Sequence, residues 1–193
     1  AVKITMEHYV EELLSLVSPT GKACSPAGDD LFTIHESNVL DQRKREEFHS
    51  AVAKVLYLAK RVRPDVLLPC IFLAGRVHEA TEQDLSKLQR LINYIFATSD
   101  FGICLEAGDP ISILAYVDTA YGVHFDGKGR TGTFISLFKG GVYVKSSKQK
   151  LNTKSSTETE LVGLSDSLSM IIWIRNFLIA QGYHLSTADR KSV

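Results

Sequence analysis

Two acidic residues, Asp118 and Glu160, occupy positions where carboxylates could bind a metal ion. Asp118 closes the apolar run ILAYVD, which predicts a buried strand. An acid there is unusual because strands disfavour Asp and burial of a charge is costly. Glu160 falls in the predicted first turn of a long helix, and Mg²⁺ prefers such oxygen ligands. The alternative interpretations are an exposed turn at Asp118 and helix capping by Glu160; neighbouring Glu158 is assigned to capping.

A second candidate site is a run of lysines between residues 139 and 154. The formal net charge of the chain is zero, yet this stretch has five lysines and no acid. Such a local positive charge could bind the phosphates of a nucleic acid. The alternative is a solvated loop, which charge alone favours. The residues predicted to bind nucleic acid are Lys145, Lys148, Lys150 and Lys154.

Helices are predicted in the first half of the chain, residues 1–100. Thr5 is a candidate N-cap of the first helix, and Pro69 should kink or split the third. Thr81 and Asp84 have the spacing of a capping box at the start of the fourth. Periodic apolar residues predict helices over about 5–17, 41–62, 65–77 and from 81 onward, with a loop over 18–40.

From about Phe101 the pattern changes to strands rich in β-forming residues. Lys139-Gly140-Gly141 predicts a hairpin between two of them. A long helix should follow from Thr157, with Glu160 completing a capping box, and should stop at Gly182. The predicted strands are FGICLEA, ISILAYVD, TFISLF and VYVKSS. The sequence therefore predicts an α+β fold.

Composition is that of an ordinary globular protein, with 45% hydrophobic and 23% charged residues. No uninterrupted apolar run approaches the ~20 residues of a membrane span. The N-terminal AVKITMEHYVEE has acids where a signal peptide needs an apolar core. These patterns indicate neither secretion nor a membrane span, and they leave open in which intracellular compartment the protein lies. Cys24, Cys70 and Cys104 lack zinc-site spacing, and we expect them to be buried free thiols.

Several motifs resemble a known family. A strand with an Asp, two further strands and a helix with a Glu is how the ribonuclease H fold begins. SSKQ followed by SSTETEL is similar to the matching segment of copia-type retrotransposon Pol polyproteins. Upstream, MEHYVEELL resembles the start of the polymerase thumb, and VAKVLYLAKRVRPDVL resembles the segment that follows the palm. HEATEQDLSKLQRLINYIFATSDFGICLEAG resembles the segment leading into the nuclease, so the resemblance covers nearly the whole chain in unbroken order.

This resemblance implies a thumb- or connection-like helical region in residues 1–100 and a truncated ribonuclease H-like domain, with one long helix, in residues 101–193. It implies no polymerase activity, because the metal-binding aspartates of the reverse transcriptase palm precede residue 1. In the intact polyprotein the segment would bind an RNA–DNA hybrid and hydrolyse its RNA strand with two Mg²⁺ ions. Asp118 would then be the first ligand, bridging both ions, and Glu160 the second.

The third and fourth ligands of the family are missing from this pattern. Asp189 is a weak match to the third, because Arg190 replaces the expected Asn, and the fourth has no counterpart. We therefore expect little or no nuclease activity. The alternative function is a non-catalytic structural or interaction subunit of a larger assembly, built from a decayed retroelement sequence. Residues 183–193 are too few to complete the sheet, so we expect a protein partner to cover its edge.

Overall fold

The computed structural model describes residues 1–185. The chain forms two compact units, one from Ile4 to Gly102 and the other from Ile103 onward together with Ala1–Lys3. The first unit is helical, and the second combines small sheets with one long helix. The predicted α+β class is confirmed.

Four α-helices build the first unit: α1 (Glu7–Leu16), α2 (Gln42–Arg61), α3 (Leu67–Ala74) and α4 (Glu82–Ala97). Short 3₁₀ turns at Pro64–Val66 and Val77–Glu79 flank α3. Each of the long helices buries one apolar stripe, because residues three and four apart share a face. The fully buried side chains of this core include Leu13, Phe48, Val55, Leu58, Leu73, Leu88, Leu91 and Ile95.

Capping was predicted correctly at α4 and wrongly at α1, and α2 has a cap that was not predicted. The Thr81–Asp84 capping box is present at α4, and Asp41 accepts a hydrogen bond from the backbone N–H of Lys44 at the start of α2. Helix α1 begins after Met6 without a side-chain cap, so Thr5 is not its N-cap. Pro69 does not split α3, because it lies in the first turn, where a missing N–H breaks no intrahelical bond.

A buried arginine joins the end of α2 to the end of α4. Arg63 is only 1% exposed, and its Nη2 lies 2.8 Å from a carboxylate oxygen of Asp65. Its Nε also donates to the Asp65 carboxylate, and its Nη1 donates to the carbonyl of Thr98. The rings of Tyr94 and Phe101 lie on its guanidinium at 5.6 and 5.5 Å. The charge is therefore both paired and hydrogen-bonded, as a buried guanidinium requires.

Up to residue 185, the second unit is built mainly from six strands and one helix: β1 (Val2–Ile4), β2 (Ile103–Ala107), β3 (Leu114–Ala120), β4 (Arg130–Ser136), β5 (Phe138–Lys139), β6 (Gly141–Lys148) and α5 (Ser156–Ala180). They form two three-stranded sheets, in the orders β1-β2-β5 and β3-β4-β6. Strand β4 pairs antiparallel with both β3 and β6. The predicted hairpin is present, but Phe138 and Lys139 leave it to pair with β2. Gly140 makes the return turn with φ +73°.

Helix α5 packs a largely polar face onto the β3-β4-β6 sheet. Its buried residues near the N-terminus are small or polar, namely Thr159, Gly163 and Ser167. Ser167 and Thr133 of β4 share a hydrogen bond of 2.7 Å. Apolar packing begins only farther along, where Ile174 and Leu178 contact Ile135. The helix stops at Gly182, as predicted, with φ +85°.

The outward face of α5 is apolar, in contrast to the face it buries. By length and composition alone, α5 is long and apolar enough to cross a membrane. Core helices of soluble proteins have the same length and composition, so this is weak evidence for a membrane span. Such a helix was not predicted, because charged residues interrupt the apolar sequence of α5 at Glu158, Glu160, Asp166 and Arg175.

Candidate functional site

Asp118 lies inside strand β3 rather than at its end. It pairs with Gly132 of β4, and β3 continues for two more residues. The prediction that this strand is buried was wrong, because Asp118 and Tyr116 are exposed. One carboxylate oxygen of Asp118 accepts the backbone N–H of Thr119 at 2.9 Å. The carboxylate is therefore open to solvent and needs no partner to offset burial.

Glu160 is not part of the helix cap, contrary to the sequence prediction. The N-cap of α5 is Ser155, whose hydroxyl accepts the N–H of Glu158. The carboxylate of Glu158 in turn accepts the N–H of Lys154 at 2.7 Å, which confirms the capping role assigned to Glu158. Glu160 lies beyond the first turn and is exposed, so its carboxylate is available to a ligand.

Gly163 fixes the position of α5 against β3 near both carboxylates. A Cβ added to Gly163 would overlap the methyl group of Thr119 and come within 3.3 Å of Thr131. Glu160 lies three residues before Gly163 on the helix, and Asp118 lies one residue before Thr119 on the strand. The backbones of Asp118 and Glu160 therefore lie near the same end of β3.

Asp118 and Glu160 lie on opposite sides of the sheet. Successive side chains of a strand point to opposite faces, and Thr119 points to the face that α5 covers. Asp118 consequently points to the other face, so an ion bound by both residues would lie at the edge of β3 that β4 leaves free. Within residues 1–185 no second strand pairs with β3, and the isolated parallel bridge between Ile111 and Leu185 lies three residues before β3 begins. The shared magnesium site stays a prediction.

The described residues do not supply the ligands of a two-ion centre. Among residues 1–185 no group of three or more His, Cys, Asp or Glu side chains is placed to hold a metal ion. Asp118 and Glu160 could provide two carboxylates, whereas two Mg²⁺ ions need several converging oxygen ligands. Asp189, the weak match to the third ligand, lies outside the described residues.

The four predicted nucleic-acid-binding lysines do not share one face. Lys145 and Lys148 lie three residues apart on β6, opposite Thr133 and Arg130, and so point to opposite sides. Lys150 and Lys154 are exposed in the loop between β6 and α5. Lys145, Lys150 and Lys154 form no ion pair with an acidic side chain of residues 1–185. These three exposed charges therefore surround the β6 edge rather than forming a flat patch.

Lys148 is engaged by a neighbouring acid. Its Nζ lies 2.7 Å from the Asp126 carboxylate, which Lys128 approaches at 4.0 Å. The hydrogen bond from Lys148 is the main cause that lowers the pKa of Asp126. Lys148 is thus partly neutralised within the chain, and its predicted contribution to phosphate binding is reduced.

Phe125 is a candidate that the sequence prediction missed. It lies in the loop between β3 and β4, is 88% exposed, and has Lys148 Nζ at 5.6 Å from its ring centroid. Exposed aromatic rings beside lysines are where unpaired bases stack in single-strand-binding proteins. The available signal was one Phe within the turn-rich segment YGVHFDGKG. Next to it, burial lowers the pKa of His124, and the charges of Arg130 and Lys148 lower it further.

A buried polar network holds the lysine loop to the start of α5. The side-chain amide of Gln149 donates to the hydroxyl of Thr131 at 3.0 Å and to the carbonyl of Thr159 at 2.9 Å. The hydroxyls of Thr153 and Thr159 also share a hydrogen bond. Gln149 is itself buried between exposed Lys148 and Lys150. The network thus sets where the lysines leave the sheet.

The chain is similar in sequence to several known proteins. The chain is 31% identical over 141 residues to the retrovirus-related Pol polyprotein from transposon RE1 of Arabidopsis thaliana, an overlap of 72% of this chain and 10% of the polyprotein. It is 28% identical over 193 residues to that from transposon RE2 of the same plant, covering 95% of this chain and 13% of the polyprotein. The chain is related to the Pol polyproteins of copia-type retrotransposons.

The chain spans about a tenth of the length of these Pol polyproteins. It is also 24% identical over 132 residues to the secreted RxLR effector protein 161 of Plasmopara viticola, covering 68% of this chain and 93% of that protein. No family model matches the chain. No solved structure matches it either. The retroelement relationship rests on sequence, and the predicted copia resemblance is confirmed.

Proposed function

We propose that this chain is the hybrid-binding junction of a copia-type Pol polyprotein and binds nucleic acid without cutting it. The junction comprises the end of the reverse transcriptase and the first half of the ribonuclease H domain. The observation that carries the proposal is the set of exposed lysines around β6, together with the exposed ring of Phe125. This combination suits a phosphate backbone with an accessible base.

The absence of cutting follows from the carboxylates. By the resemblance, Asp118 and Glu160 match the first two ligands of the family. Asp118 is on the face of β3 opposite to α5, and α5 carries Glu160. A two-ion mechanism requires both ions to have full oxygen shells, one to activate water and one to stabilise the leaving oxygen. Within residues 1–185 two carboxylates would leave both shells short, so we expect the chain to bind nucleic acid without hydrolysing it.

The binding half can be tested by fluorescence anisotropy with a labelled RNA–DNA hybrid. Affinity should fall as salt rises, because bound lysines release counterions from the phosphates. Replacing Lys145, Lys150 and Lys154 together by Gln should weaken binding at low salt by about tenfold or more and reduce the salt slope by roughly two to three. The matched control replaces Lys3, Lys22 and Lys60 by Gln, which removes the same charge from other surfaces.

Phe125→Ala separates stacking from charge in the same assay. We expect it to weaken binding of a single-stranded overhang by about 5- to 100-fold, with the salt slope unchanged, because stacking gives roughly 1–3 kcal/mol per base. No affinity at low salt, or equal losses in the two triple-lysine variants, would show that the lysines are a solvated loop.

The cleavage half needs a separate assay with Mg²⁺ and the same hybrid. We expect no product above background for the chain or for Asp118→Asn. Mg²⁺-dependent cleavage that Asp118→Asn abolishes would instead establish a working nuclease and overturn this half. The two assays share a substrate, so binding without cleavage is a single, distinguishable outcome.

One observation favours a second function, that of a non-catalytic interaction protein. The chain covers 93% of the similar effector protein, so a protein of nearly this extent exists outside a polyprotein. In this function a protein partner would cover the edge of β3 that, within residues 1–185, pairs with no other strand. Native mass spectrometry of the protein from its source should then show a stoichiometric complex, and a free monomer there would exclude this function.

A further inference from the structure

The loop between β3 and β4 places one carboxylate between two lysines. The Oδ2 atom of Asp126 lies 2.7 Å from Lys148 Nζ and 4.0 Å from Lys128 Nζ. The three side chains are only 31–37% exposed. A charge-assisted contact between partly buried groups is screened less by salt than one between fully solvated groups. The carboxylate of Asp126 therefore occupies an anion site that the two lysines build.

The loop itself holds the Asp126 carboxylate in that position. Gly127 adopts φ +73°, and its N–H donates to the carbonyl of His124 at 2.8 Å, which closes a tight turn around Asp126. The ring of Phe125 lies 5.6 Å from Lys148 Nζ. Lys148 is therefore held by two adjacent residues of this turn, a carboxylate and an aromatic ring.

The other lysines of the proposed binding surface have no such internal partner. Lys145, Lys150 and Lys154 are exposed, and within residues 1–185 they form no ion pair. The lysines of this surface thus fall into two sets. Three are open to a phosphate, whereas Lys128 and Lys148 already contact a carboxylate.

The carboxylate and a phosphate compete for Lys148 with comparable strength. An ion pair near the surface shifts an equilibrium by about 1.5- to 5-fold, and one lysine–phosphate contact at low salt shifts it by about tenfold. A phosphate that contacts Lys148 must therefore first displace the carboxylate. Most of the affinity that Lys148 could contribute is cancelled by this exchange.

We propose that Asp126 is an internal competitor of phosphate, which occupies the anion site of Lys128 and Lys148 and lowers the affinity of this surface for nucleic acid. The inference rests on the proposed function, because it concerns regulation of the same binding surface. The ligand of the vacated site would be a phosphodiester group, whose anionic oxygens can replace those of the carboxylate between the two lysines. An amide at position 126 would keep the shape of the side chain and leave both lysines to the phosphate.

A double-mutant cycle with the labelled RNA–DNA hybrid at about 50 mM salt tests the competition. Asp126→Asn should raise the affinity of the full chain about 3- to 5-fold. Lys148→Gln should weaken binding about 2- to 3-fold in the unmodified chain and about tenfold in the Asp126→Asn chain. Asp166→Asn is the matched control, because Asp166 is an exposed acid of the same unit, and it should leave the affinity nearly unchanged.

Two results in the hybrid assay would overturn the proposal. Equal gains from Asp126→Asn and Asp166→Asn would show that net charge alone sets the affinity. Equal losses from Lys148→Gln in the two backgrounds would show that Asp126 does not compete for Lys148. Urea unfolding followed by Trp173 fluorescence checks that each variant remains folded.

A measurement without nucleic acid separates this inference from the proposed function. The acetylation rate of Lys148 relative to Lys145, followed by mass spectrometry, should rise about 2- to 5-fold in Asp126→Asn, because the ion pair is lost. Inorganic pyrophosphate should then slow acetylation of Lys148 in Asp126→Asn more than in the unmodified chain. Such protection without hybrid binding in any variant would support the inference and refute the proposed function. An unchanged acetylation ratio, or no protection by pyrophosphate in Asp126→Asn, would overturn the inference.

Discussion

The contact between Gly163 and Thr119 gives the sharpest test of how α5 is placed. Gly163→Ala should stabilise an isolated helix by about 1 kcal/mol. Here the new Cβ would overlap the Thr119 methyl group, and overpacking a buried contact costs about 1–3 kcal/mol. The free energy of unfolding should therefore fall by roughly 1 kcal/mol, although the substitution is favourable for the helix itself.

Removing the obstructing methyl group should reverse the sign. Thr119→Ser keeps the hydroxyl and deletes the methyl, so adding Gly163→Ala in that background should stabilise the chain by about 0.5–1 kcal/mol. The coupling between the two sites is then about 1.5–2 kcal/mol. Urea unfolding can be followed by Trp173, the single tryptophan, which lies on α5 itself.

Ser165→Ala is the control, because it raises helix propensity at an exposed position of the same helix. It should stabilise the chain slightly in both backgrounds. If Gly163→Ala stabilises the unmodified chain as much as it stabilises Thr119→Ser, then α5 does not contact Thr119. The placement of Glu160 near the end of β3 would fail with it.

Two further predictions concern titrating groups. Burial raises the pKa of the Cys70 thiol to about 12, so at pH 8 its thiolate should be about 1,000-fold scarcer than that of a thiol with the reference value of 9.0. Iodoacetamide should therefore label exposed Cys24 first and Cys70 only on unfolding, as mass spectrometry of timed samples would show, and equal rates would contradict the buried position. The pKa of His124 is lowered below its usual 6.5, mainly by burial, so the unfolded chain binds more protons as pH falls below 6.5. Stability should then decline from pH 7 to pH 5, and His124→Asn should reduce that decline in urea titrations; an identical pH dependence in both proteins would contradict it.

Local features of the first unit were predictable because their physical causes lie within a few residues. The cap at Asp41 and the capping box at Thr81 depend on side chains that reach the backbone of the next turn. The failed prediction at Thr5 has a local cause too, since α1 begins two residues later, after Met6. Pro69 was misjudged because its effect depends on where α3 starts, and α3 starts only at Leu67, after the 3₁₀ turn at Pro64–Val66.

The cysteines and the apolar letters of α5 show where composition misleads. All three cysteines were expected to be buried, yet Cys24 is exposed and Cys104 half-buried. Helix α5 is rich in apolar residues, yet it buries Thr159 and Ser167 and exposes Leu161 and Leu168. Hydrophobic residues at helical spacing define a face, but they do not specify whether this chain or another covers it.

From the sequence alone, the order of helices, strands and long final helix could be derived, together with the copia-type relationship and the two carboxylates. These depend on local patterns and on motifs read along the chain. Only the tertiary structure decided that Asp118 and Thr119 point to opposite faces of β3 and that Thr119 faces α5. It also placed Phe125 beside Lys148 and moved Phe138 and Lys139 onto β2. The physical reason is that strand register and helix packing join residues far apart in the chain, and a shift of one residue reverses every side chain of a strand.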